Sequence, residues 1–312
     1  MSEITTQTTP KTIFNFPDFI VPNTLDVQRL FHGRGHAYPG FEHVSIDWLN
    51  PVVLITLYKA MPESLLLPLA DKLLAEVIEC DSVQVQYRYL PKAPIELLLG
   101  ESVTQTVVEE SGLKYQISLG RAQNTGLFLD MLNGRLWVRE HAQGKVVLNL
   151  FAYTCGFSVA AIAGGASKVV NLDMSRAALS VGRENHRLNH QDTDKVFFEG
   201  VDIFKSFGRI KKQGPYELFV CDPPSFQKGS VDIKRDYKKI VRRIPEFMKP
   251  NSQIMLCLNS PYLNEQFLHD TVAIECPDCE YIESISTPEV FVEAMPERGL
   301  KVVVYRYLPK MD

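Results

Sequence analysis

The chain has 312 residues, 45% apolar and 22% charged, with a formal net charge of −4. That composition is ordinary for a folded globular protein long enough for two domains, and it excludes a small disulfide scaffold. No apolar run approaches the roughly 20 residues of a membrane span, so no membrane partner is expected.

Residues 1–24 read as an N-terminal arm that Phe14, Phe16 and Phe19 can pin down. Its first residues are Ser/Thr-rich and lack the apolar core of a secretory leader, which makes the expected location cytoplasmic. Residues 26–38 carry Arg29, His32, Gly33, Arg34, Gly35 and His36. Glycines on both sides of Arg34 predict a tight loop, either a polar interdomain connection or a loop that approaches a ligand. Residues 44–47 and 52–58 read as paired strands around Asn50-Pro51. Leu66, Leu69, Leu73 and Val77 share one face of a predicted helix over 63–78. Residues 83–90 alternate as a strand, and 104–119 are β-rich with a turn at Ser111-Gly112. Together these predict a smaller α+β domain over 25–120, without a catalytic constellation. The first 118 residues carry a net −6 and the remaining 194 a net +2, so a polyanion surface is expected only in the second part.

After a predicted helix within 132–141, the pattern changes. Val146 to Phe151 is a short apolar run fit for a buried strand, followed by the turn Ala152-Tyr153-Thr154-Cys155-Gly156-Phe157-Ser158 and a small-residue helix. Val169 to Asp173 is a second strand ending in a carboxylate, and Ser175 can cap the polar helix that follows. A third strand over 196–198 precedes Asp202. A fourth, Leu218 to Asp222, is stopped by Pro223-Pro224. A fifth strand over 252–258, a helix over 265–273 and antiparallel strands over 281–287 and 302–308 complete the series. Strands alternating with helices predict an α/β fold over 121–312, a doubly wound, Rossmann-like parallel sheet with its ligand across the carboxyl edge.

The acids indicate the ligand. Asp173 lies about 20 residues beyond the first turn, where a carboxylate accepts ribose hydroxyls, and Asp202 can accept from an adenine amino group. The turn has one glycine among bulky neighbours, not the glycines that let backbone N–H groups touch a pyrophosphate. Adenosine without phosphates fits, and S-adenosylmethionine (SAM) is the common cofactor of that description.

The runs Asn149 to Ser158, Leu172-Asp173-Met174-Ser175 and Asp222-Pro223-Pro224-Ser225-Phe226 resemble class I SAM-dependent methyltransferases. More narrowly, they are similar to the bacterial family that methylates bases of 23S ribosomal RNA, which includes a cytosine-C5 enzyme and a guanine-N7 module. The segment Asn124 to Asp130 also matches, where that family covers the cofactor. The resemblance is good from about Arg121 to Ser260. It implies a seven-stranded SAM-methyltransferase sheet, with SAM held by Asn124, Thr125, Asp130, Phe151, Ala152, Tyr153, Thr154, Gly156, Asp173, Met174, Asp202, Ile203 and Asp222. It implies RNA, 23S rRNA in particular, as the partner, with a homodimer left open.

Carbon-5 of a pyrimidine needs covalent activation by a thiolate, whereas a guanine N7 has its own lone pair. The family's cytosine enzyme carries its cysteine at the end of the fifth strand. Here Leu258 falls at that position and Cys257 is one residue early, a slip that turns a side chain to the other face. Ser225, not cysteine, follows Pro224. Direct transfer, guanine-N7-like, is therefore expected. Asp222, Pro223 and Phe226 form the catalytic rim, with Phe226 either stacking on an extruded base or packing into the core. Ser225, Phe226, Lys228, Lys234, Arg235 and Asn259 are the expected substrate contacts. Residues 227–243 carry seven Lys/Arg and two Asp, with Ile233, Tyr237, Ile240 and Ile244 at helical spacing. The outer face is either solvated surface or an RNA contact, and the same alternatives stand for Arg34 and His36. Cys276-Pro-Asp-Cys279 is a chance surface pair or a redox pair, and no metal is expected. Rivals are a methyltransferase acting on DNA, protein or a small molecule, and a SAM-binding RNA assembly factor with little turnover.

Overall fold

The computed structural model describes residues 16–120, 123–224, 226–227 and 231–310, with the backbone alone at 226, 227 and 231. The expectations for Phe14, Arg121, Ser225, Lys228 and the Phe226 side chain fall outside the described residues.

The first sheet runs in the order β1 (Gln28–His32), β2 (Val44–Leu49), β3 (Val52–Leu57), β4 (Ser82–Tyr87) and β5 (Ile95–Gly100). Its centre, β3, reads Val-Val-Leu-Ile-Thr-Leu and is buried at all six positions, as a strand covered on both faces must be. Helix α1 (Glu63–Glu76) carries the chain across to the parallel β4. Its Leu66, Leu69, Ala70 and Leu73 pack with Trp48, Ile55 and Val83. Phe16 closes this core with its ring 4.8 Å from that of Phe31. Residues 28–32 were expected in a loop and instead form a strand. Pairing with residues 45–48 of β2 satisfies their backbone while Leu30 and Phe31 are buried.

A hairpin, β6 (Gln105–Glu110) and β7 (Leu113–Ser118), turns at Ser111-Gly112, where φ is +51° and +79°. Positive φ at both central residues matches the right-handed strand twist. Val108, Tyr115 and Ile117 of the hairpin share a core with Leu49, Val52 and Leu54 on one side and Val159 and Ala160 on the other.

The second sheet follows helix α2 (Leu132–His141). Strand β8 (Val146–Leu150) leads through α3 (Gly156–Ala163) to β9 (Lys168–Asp173), then through α4 (Arg176–Leu188) to β10 (Val196–Gly200). Helix α5 (Phe207–Gln213) and strand β11 (Tyr216–Cys221) come next. The short antiparallel pair β12 (Phe226–Gln227) and β13 (Val231–Asp232) precedes α6 (Ile233–Val241) and α7 (Ile244–Phe247). Strand β14 (Met248–Asn259), helix α8 (Gln266–Glu275), β15 (Cys279–Ser284) and β16 (Leu300–Tyr307) end it. The order is β10-β9-β8-β11-β14-β16-β15, with β16 antiparallel to both neighbours. This is a Rossmann-like α/β sheet of seven strands. From β8 the chain winds outward to β9 and β10, then crosses to β11 on the other side. That reversal opens a crevice at the carboxyl edge. No helix among the described residues is long and apolar enough to cross a membrane.

Candidate active site

The turn after β8 bends sharply. Phe151, Tyr153 and Cys155 take φ of +59°, +47° and +63°, a left-handed alternation that costs non-glycine residues about 1–3 kcal/mol each. Surrounding contacts hold it there. Ala152 N–H donates to Leu172 O at 3.0 Å, and Tyr153 N–H to Asp173 Oδ2 at 2.8 Å. The Thr154 hydroxyl donates to Gly126 O at 2.5 Å, and Asn185 Nδ2 donates to Thr154 O at 2.9 Å. Buried Cys155 leaves no room at Gly182, where an added Cβ would stand 2.5 Å from its Sγ. Cys155 is thus a small packing residue, and burial pushes its thiol pKa up.

Asp173 Oδ1 also accepts from Ser175 N–H at 2.7 Å, so both carboxylate oxygens are oriented by backbone at the end of β9. Ser175 in turn caps α4 through Ala178 N–H at 3.2 Å. Asp202 orients itself by accepting from Phe204 N–H at 2.9 Å. At the end of β11, burial and the neighbouring Asp130 push the Asp222 carboxyl up to about 7, against the pull of Arg135. Asp130 is itself raised by burial, against Arg29 and Arg135.

These groups converge on a cavity of about 450 Å³, within the range of small-molecule sites. Of the expected cofactor residues, Asn124, Asp130, Phe151, Ala152, Tyr153, Thr154, Gly156, Asp173, Met174, Asp202, Ile203 and Asp222 line it. Pro223 and Asn259, expected in the rim and against substrate, line it as well. Thr125 instead lines the neighbouring cleft. Lys234 and Arg235 lie on the exposed face of α6, away from the cavity, and Arg235 is spent on Asp236 at 2.8 Å. Sequence reasoning missed Phe128, Arg135, Phe157, Phe204, Pro224 and Leu300, which also line the cavity. Phe128, Phe157 and Pro224 lie inside recognised runs without having been singled out, whereas Arg135 and Leu300 arrive from distant elements.

Arg135 is the only arginine or lysine lining the cavity among the described residues, and it is bound bidentately to Glu110 at 2.6 Å on both arms. Asp130, Asp173, Asp202 and Asp222 leave the cavity acidic. An acidic wall repels phosphates and suits a ligand carrying ammonium and sulfonium charges. No cysteine lines it. Cys221 and Cys257 are fully buried in strands on opposite faces of the sheet, and burial pushes both thiols far up. The Cys276 and Cys279 sulfurs are 3.4 Å apart near the outer edge of the sheet. Among the described residues no group of three His, Cys, Asp or Glu side chains could hold a metal.

Comparison with known proteins agrees with this geometry. The S-adenosylmethionine-dependent methyltransferase family matches residues 28–306. Ribosomal RNA large subunit methyltransferase I of Erwinia tasmaniensis is 31% identical over 245 residues, 75% of this chain. The chain spans 61% of that relative's length. A candidate methyltransferase solved in complex with SAH superimposes at a TM-score of 0.79 and 25% identity, over 90% of this chain and 75% of that one. A SAM-dependent methyltransferase from Agrobacterium tumefaciens shares the fold at a TM-score of 0.65 and 15% identity, over 95% of each chain.

Proposed function

This chain belongs to the S-adenosylmethionine-dependent methyltransferase family, and we propose that it methylates a base of large-subunit ribosomal RNA by direct in-line transfer to a ring nitrogen, guanine-N7-like. SAM, when bound, supplies a methyl group made electrophilic by its sulfonium sulfur. Asp173 takes the ribose hydroxyls and Asp202 the adenine amino group. Asp222, close to neutral pH in its titration, orders the cationic methionine moiety or accepts from a base amino group. Pro223 and Pro224 stiffen the rim of the cavity. Asn259 borders the same space.

The observation that carries direct transfer is the absence of a thiol from the cavity. All six cysteines lie among the described residues, and none is in the lining. A carbon-5 target needs a thiolate to add at C6, whereas a ring nitrogen attacks with its own lone pair and needs only positioning. The substrate class is supported by the name of the Erwinia tasmaniensis relative, a large-subunit ribosomal RNA methyltransferase. The test is transfer of tritiated methyl from SAM into unmodified 23S rRNA transcript, DNA and protein, followed by nuclease digestion to identify the base. Label on a guanine ring nitrogen is expected. Label on cytosine C5, or in protein alone, would contradict the proposal.

A further inference from the structure

A larger cleft, about 880 Å³, lies between the first sheet and the loops after β14 and before β16. It shares Asn124, Asp130 and Asn259 with the cofactor cavity, so a group held in the cleft can reach that cavity. Arg29, Arg34, Arg88 and Arg298 line it against Asp47, Asp130 and Glu293, so basic groups outnumber acidic ones by one among the described residues. Arg34, Arg88 and Arg298 line it, and none of the three has an ion-pair partner among the described residues. Arg29 is committed bidentately to Asp47, with Nη2 3.3 Å from Oδ2. His32 is held down to about 3 by burial and by Arg29 and Arg34, so its 3.6 Å approach to Glu293 is not an ion pair at neutral pH.

Arg34 is rigidly placed. A Cβ on Gly33 would stand 1.9 Å from Phe41 O, and one on Gly35 would stand 1.8 Å from Val292 O. Gly35 O also accepts from Ala294 N–H at 2.7 Å. The turn is therefore wedged between the first sheet and the β15–β16 loop, which explains the two glycines. From it the exposed Arg34 guanidinium lies 4.0 Å over the Tyr58 ring, with Arg88 at 5.6 Å from the same ring. Arg88 also donates to Gln123 O and to Asn124 Oδ1, the latter at 3.3 Å. Beside Asn259 in sequence, and also lining the cleft, Tyr262 is 86% exposed. The Ser45 hydroxyl, buried in the wall, has no hydrogen-bond partner.

Guanidinium groups outside any ion pair, lining one cleft with an exposed aromatic face, suit phosphate and base together. We propose that this cleft is the track of a single-stranded RNA segment, with Arg34 and Arg88 on phosphates and Tyr262 stacked on a base, delivering the target past Asn259 to the cofactor. This rests on the RNA reading above. A single strand is favoured because the target base must be free of its stack to enter the cavity, and stacking on Tyr262 needs an open face.

The test uses the full chain, a fluorescein-labelled mixed-sequence 20-nucleotide RNA, its duplex, and the 23S transcript. Arg34→Ala should weaken single-strand binding about tenfold and lower the slope of log K against log salt by about 0.7, one phosphate contact. Tyr262→Ala should weaken it about fivefold or more. SAH affinity should stay within about twofold in both, which also reports folding. Equal single-strand affinity in wild type and both variants, while wild type methylates the transcript, would overturn the track and leave the methyltransferase proposal standing. Tighter binding of the duplex would also overturn it. Methyl transfer to protein or DNA and none to RNA would overturn both.

Discussion

The cofactor cavity and the cleft beside it touch, yet acids outnumber bases in the first and bases outnumber acids in the second. Among the described residues, the cavity presents four carboxylates and one guanidinium already bound to Glu110; the cleft presents four arginines, three of them outside any ion pair, against Asp47, Asp130 and Glu293. A cationic methyl donor and a polyanionic acceptor can then occupy neighbouring spaces without competing for the same groups. A third region, α6, is also basic in sequence. There Arg235 and Lys239 are bound to Asp236, Arg242 to Glu275 and Arg243 to Glu246. Its sequence looks more basic than the cleft, but most of its charge is answered within the protein.

The largest expected effect concerns Arg135, the one arginine or lysine lining the acidic cavity among the described residues. Arg135→Ala leaves Glu110 buried without its partner and should destabilise the protein by about 3–5 kcal/mol. Urea unfolding measures this, and adding Glu110→Leu should recover much of the loss. An unchanged midpoint in the single variant would show that the pair contributes nothing to the acidic wall's tolerance of burial.

Next is Asp173→Ala, which should weaken SAM binding by about 1–3 kcal/mol while RNA affinity is unchanged. Calorimetry with a folded variant decides it. Equal losses for both ligands would break the division between the two compartments.

How much of this could be read from the chain follows from what is local. The strands from β8 to β11 and the hairpin turn at Ser111-Gly112 were legible because short apolar runs, strand-end acids and turn residues sit side by side. The contorted turn was recognisable by its motif, although its left-handed alternation was not, because tertiary hydrogen bonds from Asp173 and Asn185 hold it. Strand β1 was missed because Arg29 and His32 make it look polar, while the burial of Leu30 and Phe31 depends on β2. Strand β5 and helix α5 gave no clear periodicity. Arg135 and Leu300 reach the cavity only through packing of distant elements, and Tyr262 follows a recognised strand end without any motif of its own.

A smaller effect is expected from pH. Asp222 titrates near 7 in the absence of ligand, and a bound cation favours its ionised form. Below 7 binding must release the proton; above 7 the carboxylate is already ionised. SAM affinity should therefore rise as pH climbs toward 7 and level off beyond it, by at most about 1.4 kcal/mol per pH unit. Calorimetry from pH 5.5 to 8 should show that rise, and Asp222→Asn should flatten it. A fall in affinity across this range would contradict the assignment.

The smallest effect belongs to α6. Neutralising Lys239 and Arg242 to Gln should change RNA affinity by no more than about 0.5 kcal/mol, since both are paired within the protein. A loss larger than that of Arg34→Ala would move the RNA site from the cleft to the helix.

The central claim, transfer without a thiol nucleophile, is tested most directly by single-turnover methyl transfer to 23S rRNA with Cys257→Ser. The buried Cys257 side chain is absent from the cavity lining, so the variant should keep its rate within about tenfold, roughly 1.4 kcal/mol of barrier. Complete loss in a folded variant, with wild type trapped as a covalent complex on RNA containing 5-fluorocytosine, would contradict direct transfer and make cytosine C5 the target.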